Sequence, residues 1–462
     1  MSDLLRTELP YRENSTALFE AVADRPWAVF LDSGRHYPAQ ARYDILVAEP
    51  YLTLVTRGKM TEVRGGGAEL SREDPFALLH RHLGFDAQLA CDLPFSGGAI
   101  GYFSYDLARR LERLPESAVD DVGMPEMAVG LYDWAVVVDH GERRSWLVGH
   151  GHRADTRMRW RELTARFSAP AIERARPPFR IAAPPSSNLS PDAYAAAFGR
   201  VLDYIDAGDC YQVNLAQRFS APASGDPWLA YQALRVVNPA PYAAYLNTPY
   251  GQILSASPER FLKVERGGVE TRPVKGTRAR AGHPRLDAEI MRDLQSSAKD
   301  RAENLMIVDL LRNDLSKNCA RGSVKVPKLF EVESFATVHH LVSTVTGGLQ
   351  DDRSPLDLLR GCFPGGSITG APKLRAMQII EELEPHRRGV YCGAIGYIGR
   401  DGNMDTSIAI RTLVCRGGRI YFSAGGGIVA DSRLEEEYQE TFDKAAVMLK
   451  LVQRAAMGRA GG

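Results

Sequence analysis

Six prolines (Pro170, Pro177, Pro178, Pro184, Pro185 and Pro191) fall close together after Ser168, among alanine, arginine and serine with little apolar periodicity. Proline fixes φ and lacks an amide proton, so neither an unbroken helix nor a central strand can run through this stretch. It divides the 462-residue chain into an N-terminal region over 12–165, a linker or crossover over 166–189, and a C-terminal region over 190–452. The stretch ends in a helix start, with Ser190 as N-cap, Pro191 at the first helical position and Asp192 in the first turn. Phe198, Val201, Leu202 and Ile205 then follow at helical spacing, and Gly208 suits the helix end.

The N-terminal region carries short β-rich runs bounded by turn residues, at Trp27–Leu31, Tyr51–Val55 and Trp134–Val138. The glycines of Ser96–Tyr105 lack the spacing of a dinucleotide-binding turn and predict a strand with close backbone packing. Arg157–Phe167 predicts a short helix, and Tyr211–Phe219 alternates like a strand. The 57 basic and 57 acidic side chains cancel, which argues against a nucleic-acid or anionic-membrane partner. No apolar run reaches membrane-spanning length, and the first residues lack the apolar core of a signal peptide. Six scattered cysteines without a C-x-x-C pair predict reduced thiols in a cytoplasmic protein, not a zinc site or disulfide framework.

Several residues invite chemistry. Lys275 sits in Thr271-Arg-Pro-Val-Lys-Gly-Thr-Arg278, where Pro273 and Gly276 constrain the backbone that presents it. Such an amine can be a nucleophile or base if burial lowers its pKa; the plainer alternative is a solvated lysine at a turn. Glu303 shares a helix stripe with Ile307 and Leu310 or Leu311, and Glu437 and Glu440 form an i, i+3 pair. Inward carboxylates are costly unless paired or bound to a cation, and three of them would suit Mg²⁺; surface salt bridging is the alternative. Phe363–Lys373 and Ser423–Val429 are rich in glycine and could offer main-chain donors to an anion, or be ordinary hairpins. One of His339 and His340, adjacent on an apolar strand, must point inward. Arg411, alone in an apolar run, fits either a buried ion pair or a carboxylate clamp.

Taken in order, eight blocks resemble the chorismate-utilising enzymes: Ser257-Pro-Glu-Arg-Phe261, Pro273-Val-Lys-Gly-Thr277, the Glu303 helix through Arg312-Asn-Asp314, His340-Leu-Val-Ser343, Gly365–Lys373, Ile410-Arg-Thr412, Ala424-Gly-Gly-Gly427 and Glu437-Tyr-Gln-Glu-Thr441. The match is strong over about 190–452 and looser over 12–150. Members that aminate the ring at C2, the anthranilate synthases, resemble Pro-Ile-Ala-Gly-Thr where this chain has Lys275. Members that add water carry a lysine where this chain has Gln212. The resemblance is therefore to the branch that makes 4-amino-4-deoxychorismate, the precursor of para-aminobenzoate and folate.

That resemblance implies an α+β fold: two large antiparallel sheets packed as a sandwich, helices outside, and the site in a cleft. It implies Lys275 as covalent nucleophile at C2, Glu259 as general acid/base and His340 near the reacting ring. Thr277, Thr369, Gly370, Ala371, Lys373, Tyr397, Arg411, Gly425, Gly426, Gly427 and Lys444 would bind chorismate, and Glu303, Glu437 and Glu440 would hold Mg²⁺. A tryptophan site is implied around Ser33, Tyr211, Asn214, Pro241 and Tyr242, although the associated Leu-Leu-Glu-Ser block reads Phe30-Leu-Asp-Ser33 here. Ammonia would come from solution or from a separate glutamine amidotransferase subunit. The rival expectations are C2 amination, water addition, or a catalytically silent tryptophan-binding regulatory subunit.

Overall fold

The computed structural model describes residues 4–34, 42–89, 91–170, 174–334 and 338–457. Among these residues two antiparallel sheets of 13 and 12 strands carry the fold, with helices on their outer faces. The first sheet runs from Leu5–Leu9 through Arg144–Gly149, Trp134–Asp139, Tyr43–Val47 and Ala28–Asp32. It continues through Tyr242–Thr248, Gly251–Ser257, Thr412–Arg416 and Arg419–Ile428 to Gln212–Ser224. In the second, Val274–Ala279 and Val338–Gly348 lie at one edge, and Gly98–Phe103 pairs with Ala394–Gly399 near the middle. Each sheet is thus built in two halves, with strands from before the proline-rich stretch side by side in one half and strands from after it in the other.

The β-rich runs take the expected form, as Ala28–Asp32, Leu52–Arg57 and Trp134–Asp139. Gly98–Phe103 is a strand with the close packing its glycines predict, since a Cβ on Gly101 would lie 2.2 Å from the Ala128 carbonyl oxygen. The helix over Ala154–Ser168 precedes the proline-rich stretch, whose residues 171–173 lie outside the described ones. The rest is pinned: Arg180–Ile181 and Ser186–Ser187 pair along the Gln212 strand, and Arg176 forms ion pairs with Glu20, Asp24 and Asp226. Ser190 caps Pro191–Asp206 by accepting from the Ala193 amide at 3.1 Å.

Alternation along the strands builds the core. Val29, Ile45, Val137 and Ile253 of the first sheet meet Ile100, Tyr102 and Ile395 of the second in one apolar layer between them. On the outer face of the first sheet, Phe219, Phe422 and Ala424 pack against Ala445 and Met448 of the C-terminal helix, Leu434–Met457. Val213, Leu215 and Ile428 pack against the helices Pro191–Asp206 and Lys373–Leu383. No helix among the described residues is long and apolar enough to cross a membrane.

Candidate active site

Lys275 lies on the strand Val274–Ala279, where the register to the neighbouring strand shifts between Lys275 and Thr277. Gly276 makes this bulge with φ +75°, a left-handed conformation that glycine adopts without a Cβ clash. A Cβ there would also come within 2.8 Å of an Asp300 carboxylate oxygen. Lys275 is partly buried, and burial lowers its pKa against the opposing pull of Glu303, Glu259 and Glu440; Lys444 lowers it further. This is the environment in which an amine gains a neutral, nucleophilic fraction.

Glu259 is buried, and its Oε1 accepts a hydrogen bond from Ser367 Oγ at 2.8 Å. Burial raises its pKa to about 6, against Ser367, Lys275 and Lys444, which favour the anion. A carboxyl so placed can give and retake a proton near neutral pH.

The remaining carboxylates gather where the glycine strand meets the C-terminal helix. A Cβ on Gly426 would lie 2.7 Å from Glu437 Oε2 and 3.6 Å from Glu440 Oε2, so only glycine leaves room for both. Glu437 Oε1 accepts from Ser432 Oγ at 2.6 Å, while its buried Oε2 has no partner among the described residues. Burial raises the pKa of Glu437, and repulsion from Glu440 adds to it. Glu303, on the helix Ala298–Ser316, is raised for the same reasons, burial first, with Lys275 and Lys299 opposing and Asp300 and Glu440 adding. Burial also disfavours the Glu440 anion, but Lys444 outweighs it: its Nζ lies 2.6 Å from Glu440 Oε1 and donates to the Gly425 carbonyl at 2.9 Å. The all-oxygen donor set and the unpartnered Glu437 Oε2 fit a hard cation such as Mg²⁺. Among the described residues no three such groups already converge as a metal cage.

His339 and His340 are both buried, where the sequence required only one to point inward. The strand Val338–Gly348 is covered on both faces. His339 bonds Asp287 of one helix at 2.9 Å and Ser334 at 2.8 Å, and His340 Nδ1 bonds Thr277 Oγ1 at 2.8 Å. Burial first, then the nearby Arg411 cation, lowers the His340 pKa to about 4, so the ring is neutral at physiological pH. Arg411 has φ +50°, and desolvation lowers its pKa, with no carboxylate among the described residues holding it up. A cation so desolvated is ready for an anionic ligand. Thr369 is fully buried, its hydroxyl bonded to the Gly365 and Gly366 carbonyls. Its own carbonyl accepts from the Asn214 amide at 2.8 Å, and Gly370 and Ala371 pair with Val213 and Gln212. Gly427 faces Asn214 in the adjoining strand.

Three expected placements fail. Lys373 is committed to structure: its ammonium lies 2.6 Å from Asp314 and 2.7 Å from the Cys362 carbonyl, with a buried counter-ion already supplied. Tyr397 shares the inward face of Ala394–Gly399 with Ile395, so period-two alternation puts it in the layer between the sheets, against Phe95 at 5.5 Å. There it lines a cavity of about 560 Å³ that Ser33, Pro241 and Tyr242 also line. Tyr211 and Asn214 are absent from that cavity. Tyr211 is 72% exposed just before its strand begins, and Asn214 faces Thr369 and Gly427, so the five residues expected at a tryptophan site do not stay together. The sequence reading also missed Ser367 and Lys299. Ser367 lies inside the Gly365–Lys373 block, but only the fold turns its hydroxyl onto Glu259.

A family model described as chorismate binding enzyme matches residues 36–450. The chain is 50% identical over 441 residues to aminodeoxychorismate synthase component 1 of Salmonella typhimurium, covering 94% of this chain and 95% of that one. It is 39% identical over 462 residues to anthranilate synthase component 1 of Thermus thermophilus, covering 97% and 99%. Among solved structures, anthranilate synthase component I from Streptococcus pneumoniae superposes with a TM-score of 0.80 at 34% identity, over 88% of this chain and 92% of that one.

Proposed function

The chain belongs to the family of chorismate binding enzymes, and from that premise we propose that it converts chorismate and ammonia to 4-amino-4-deoxychorismate. The observation that carries this reading is Lys275, a lysine whose pKa burial lowers, between Glu259 and Glu303 at the loop where C2-aminating relatives resemble an alanine. The 50% identity to a protein named for this synthase supports it. A "component 1" implies a second component, and the chemistry assigns it the release of ammonia from glutamine. Six free cysteines, five of them buried, suit a reducing cytoplasm.

In the reaction we infer, neutral Lys275 Nζ bonds C2 of chorismate, the ring double bonds shift, and the C4–O bond breaks. Glu259 gives its proton to the departing hydroxyl, which leaves as water. Ammonia then bonds C4, the double bonds shift back, and Lys275 departs from C2 as a neutral amine. The new C4 ammonium returns a proton to the Glu259 carboxylate, which restores both groups. Arg411 and the main chain around Gly426 and Gly427 orient one substrate carboxylate. Glu303, Glu437 and Glu440 would hold Mg²⁺, which when bound neutralises carboxylate charge and fixes the ring's orientation. In the separate cavity, Ser33, Pro241, Tyr242 and Tyr397 offer an aromatic wall and a hydroxyl suited to a tryptophan-like regulator.

Product analysis by chromatography and mass spectrometry, with chorismate, ammonium and Mg²⁺ supplied to the purified chain, tests the assignment. 4-Amino-4-deoxychorismate is expected. Anthranilate, isochorismate or untouched chorismate would overturn it.

A further inference from the structure

The helix Pro284–Ser296 packs against Val274–Ala279, the edge strand that carries Lys275. Asp287, Ile290, Met291 and Leu294 fall on one stripe of it, at i, i+3, i+4 and i+7. An apolar residue would be the plain choice at the first of these positions. Of the helix's 13 described residues, only Asp287 and Leu294 are buried. A buried carboxylate is costly unless polar or charged groups meet it, so Asp287 needs a reason beyond packing.

Its partners supply one. Arg280 Nε and Nη2 donate to Asp287 Oδ2 at 3.1 and 2.8 Å, and the Ala281 amide donates to Oδ1 at 3.0 Å. Both residues directly follow the Lys275 strand. His339 Nε2 lies 2.9 Å from Oδ1, on the neighbouring strand Val338–Gly348, where it faces Arg278. Arg280 first, then His339, holds the Asp287 carboxyl at a pKa of about 2, so it meets these donors as an anion. Seven residues on, Leu294 Cδ1 lies 2.9 Å from the place a Cβ would take on Gly276, the residue next to Lys275. The helix therefore grips the Lys275 strand at two points, through one leucine and one anion.

We propose that Asp287 is a positioning residue for the reaction: it clamps the helix Pro284–Ser296 onto the edge strand and so fixes the bulge from which Lys275 reaches the ring. This deepens the covalent reading of Lys275 and rests on it. Asp287 acts through Arg280, Ala281 and His339 and stands apart from the reacting groups. An edge strand has no second strand to hold it, and the register shift between Lys275 and Thr277 interrupts the ladder on its paired side. The clamp supplies the missing restraint. A misplacement of about 1 Å at a reacting atom costs on the order of a hundredfold in rate. Gly426 and Gly427 lie on a strand of the other sheet, and Arg411 directly precedes another, so the hold on the substrate carboxylate depends less on the clamp.

The test uses the full chain with Asp287→Ala, Asp287→Asn and His339→Leu. It reads steady-state kinetics with ammonium, the rate at which the Lys275 adduct forms without ammonia, and amide hydrogen exchange. Asp287→Ala is expected to lower kcat and the adduct rate together by about a hundredfold, with the KM for chorismate held within about threefold. Asparagine keeps the shape and one acceptor oxygen, so Asp287→Asn should return to within about tenfold of wild type. His339→Leu removes one bond to the clamp and should lose about tenfold. Exchange in Asp287→Ala should quicken over 276–296 and hold steady in the first sheet. If Asp287→Ala does not fold, the other two variants decide. A wild-type adduct rate in every folded variant, a lower thermal midpoint with kcat intact, or lost kcat with a wild-type adduct rate would each overturn the positioning role. Wild-type chain that forms no adduct at Lys275 overturns the covalent reading itself, and this proposal with it; that failure shows in the wild type, before any variant is compared.

Discussion

Ser367 Oγ donates to Glu259 Oε1 at 2.8 Å, and this one bond ties a glycine-rich turn to the carboxyl with the most useful acidity in the site. Burial outweighs that bond and the nearby Lys275 and Lys444 cations, leaving Glu259 with a pKa of about 6. Its proton affinity is thus higher in the folded chain than the ordinary 4.5. The folded state binds the extra proton, so stability from this group is lost as pH rises from about 4.5 to 6, about 2 kcal/mol in all.

The catalytic consequence is an alkaline limb. With the protonated carboxyl as acid, kcat should fall on the alkaline side of a pKa near 6. Glu259→Gln should remove that limb and lower kcat by about 10²–10⁴-fold, the usual contribution of a general acid. A pH–rate profile of both proteins checks it. A limb that persists in the variant would assign the proton to another group.

Lys275→Ala and Lys275→Arg separate covalent from electrostatic roles. Arginine keeps the charge but is no nucleophile, so both variants should lose at least about a hundredfold in 4-amino product if Nζ bonds the ring. Wild-type enzyme quenched without ammonia should carry an adduct equal in mass to chorismate less one water, on the peptide that holds Lys275. Full activity in Lys275→Arg, with no adduct, would reduce Lys275 to a positioning charge.

The Glu437–Glu440 pair against Gly426 should respond to a cation. Wild-type chain is expected to gain thermal stability on adding Mg²⁺, by about 2.7 kcal/mol at a hundredfold excess over the dissociation constant. Glu303→Gln and Glu440→Gln should fold, lose that gain and lose turnover, since removing one of several repelling carboxylates relieves the apoprotein. A Mg²⁺ shift retained in both variants would move the metal elsewhere.

Much of the site was readable from the chain because its residues sit in short blocks whose local geometry is set by their neighbours. Pro273 and Gly276 announced a constrained Lys275, and the glycine run at 425–427 announced a strand that lets side chains approach. What failed depended on which face a strand turns. Tyr397 lies amid the conspicuous Gly396-Tyr397 pair, yet only the register of Ala394–Gly399 against its neighbours decides that it faces the inter-sheet layer. Asn214 and Ser33 are grouped by resemblance, but the strand that carries Asn214 is far in sheet order from Ala28–Asp32, which Ser33 follows. The coupling of Ser367 to Glu259 spans 108 residues, a distance at which sequence spacing carries no angular information.

Lys373 is the sharpest of these reversals. Its ammonium and Lys317 both meet Asp314, whose side chain is 2% exposed, and the Cys362 carbonyl completes the shell. The pair joins the start of the helix Lys373–Leu383 to the end of the helix Ala298–Ser316 that carries Glu303. Removing one partner leaves the other charge buried, so Asp314→Asn should cost about 3–5 kcal/mol. Lys373→Met should cost somewhat less, because Lys317 still neutralises Asp314. The double variant Asp314→Leu with Lys373→Met should recover part of the loss, since neither charge remains to be desolvated. Denaturant unfolding of the three proteins measures this. If Lys373 instead bound chorismate, Lys373→Met would keep wild-type stability and raise the KM for chorismate, and the assignment of this lysine to structure would be wrong.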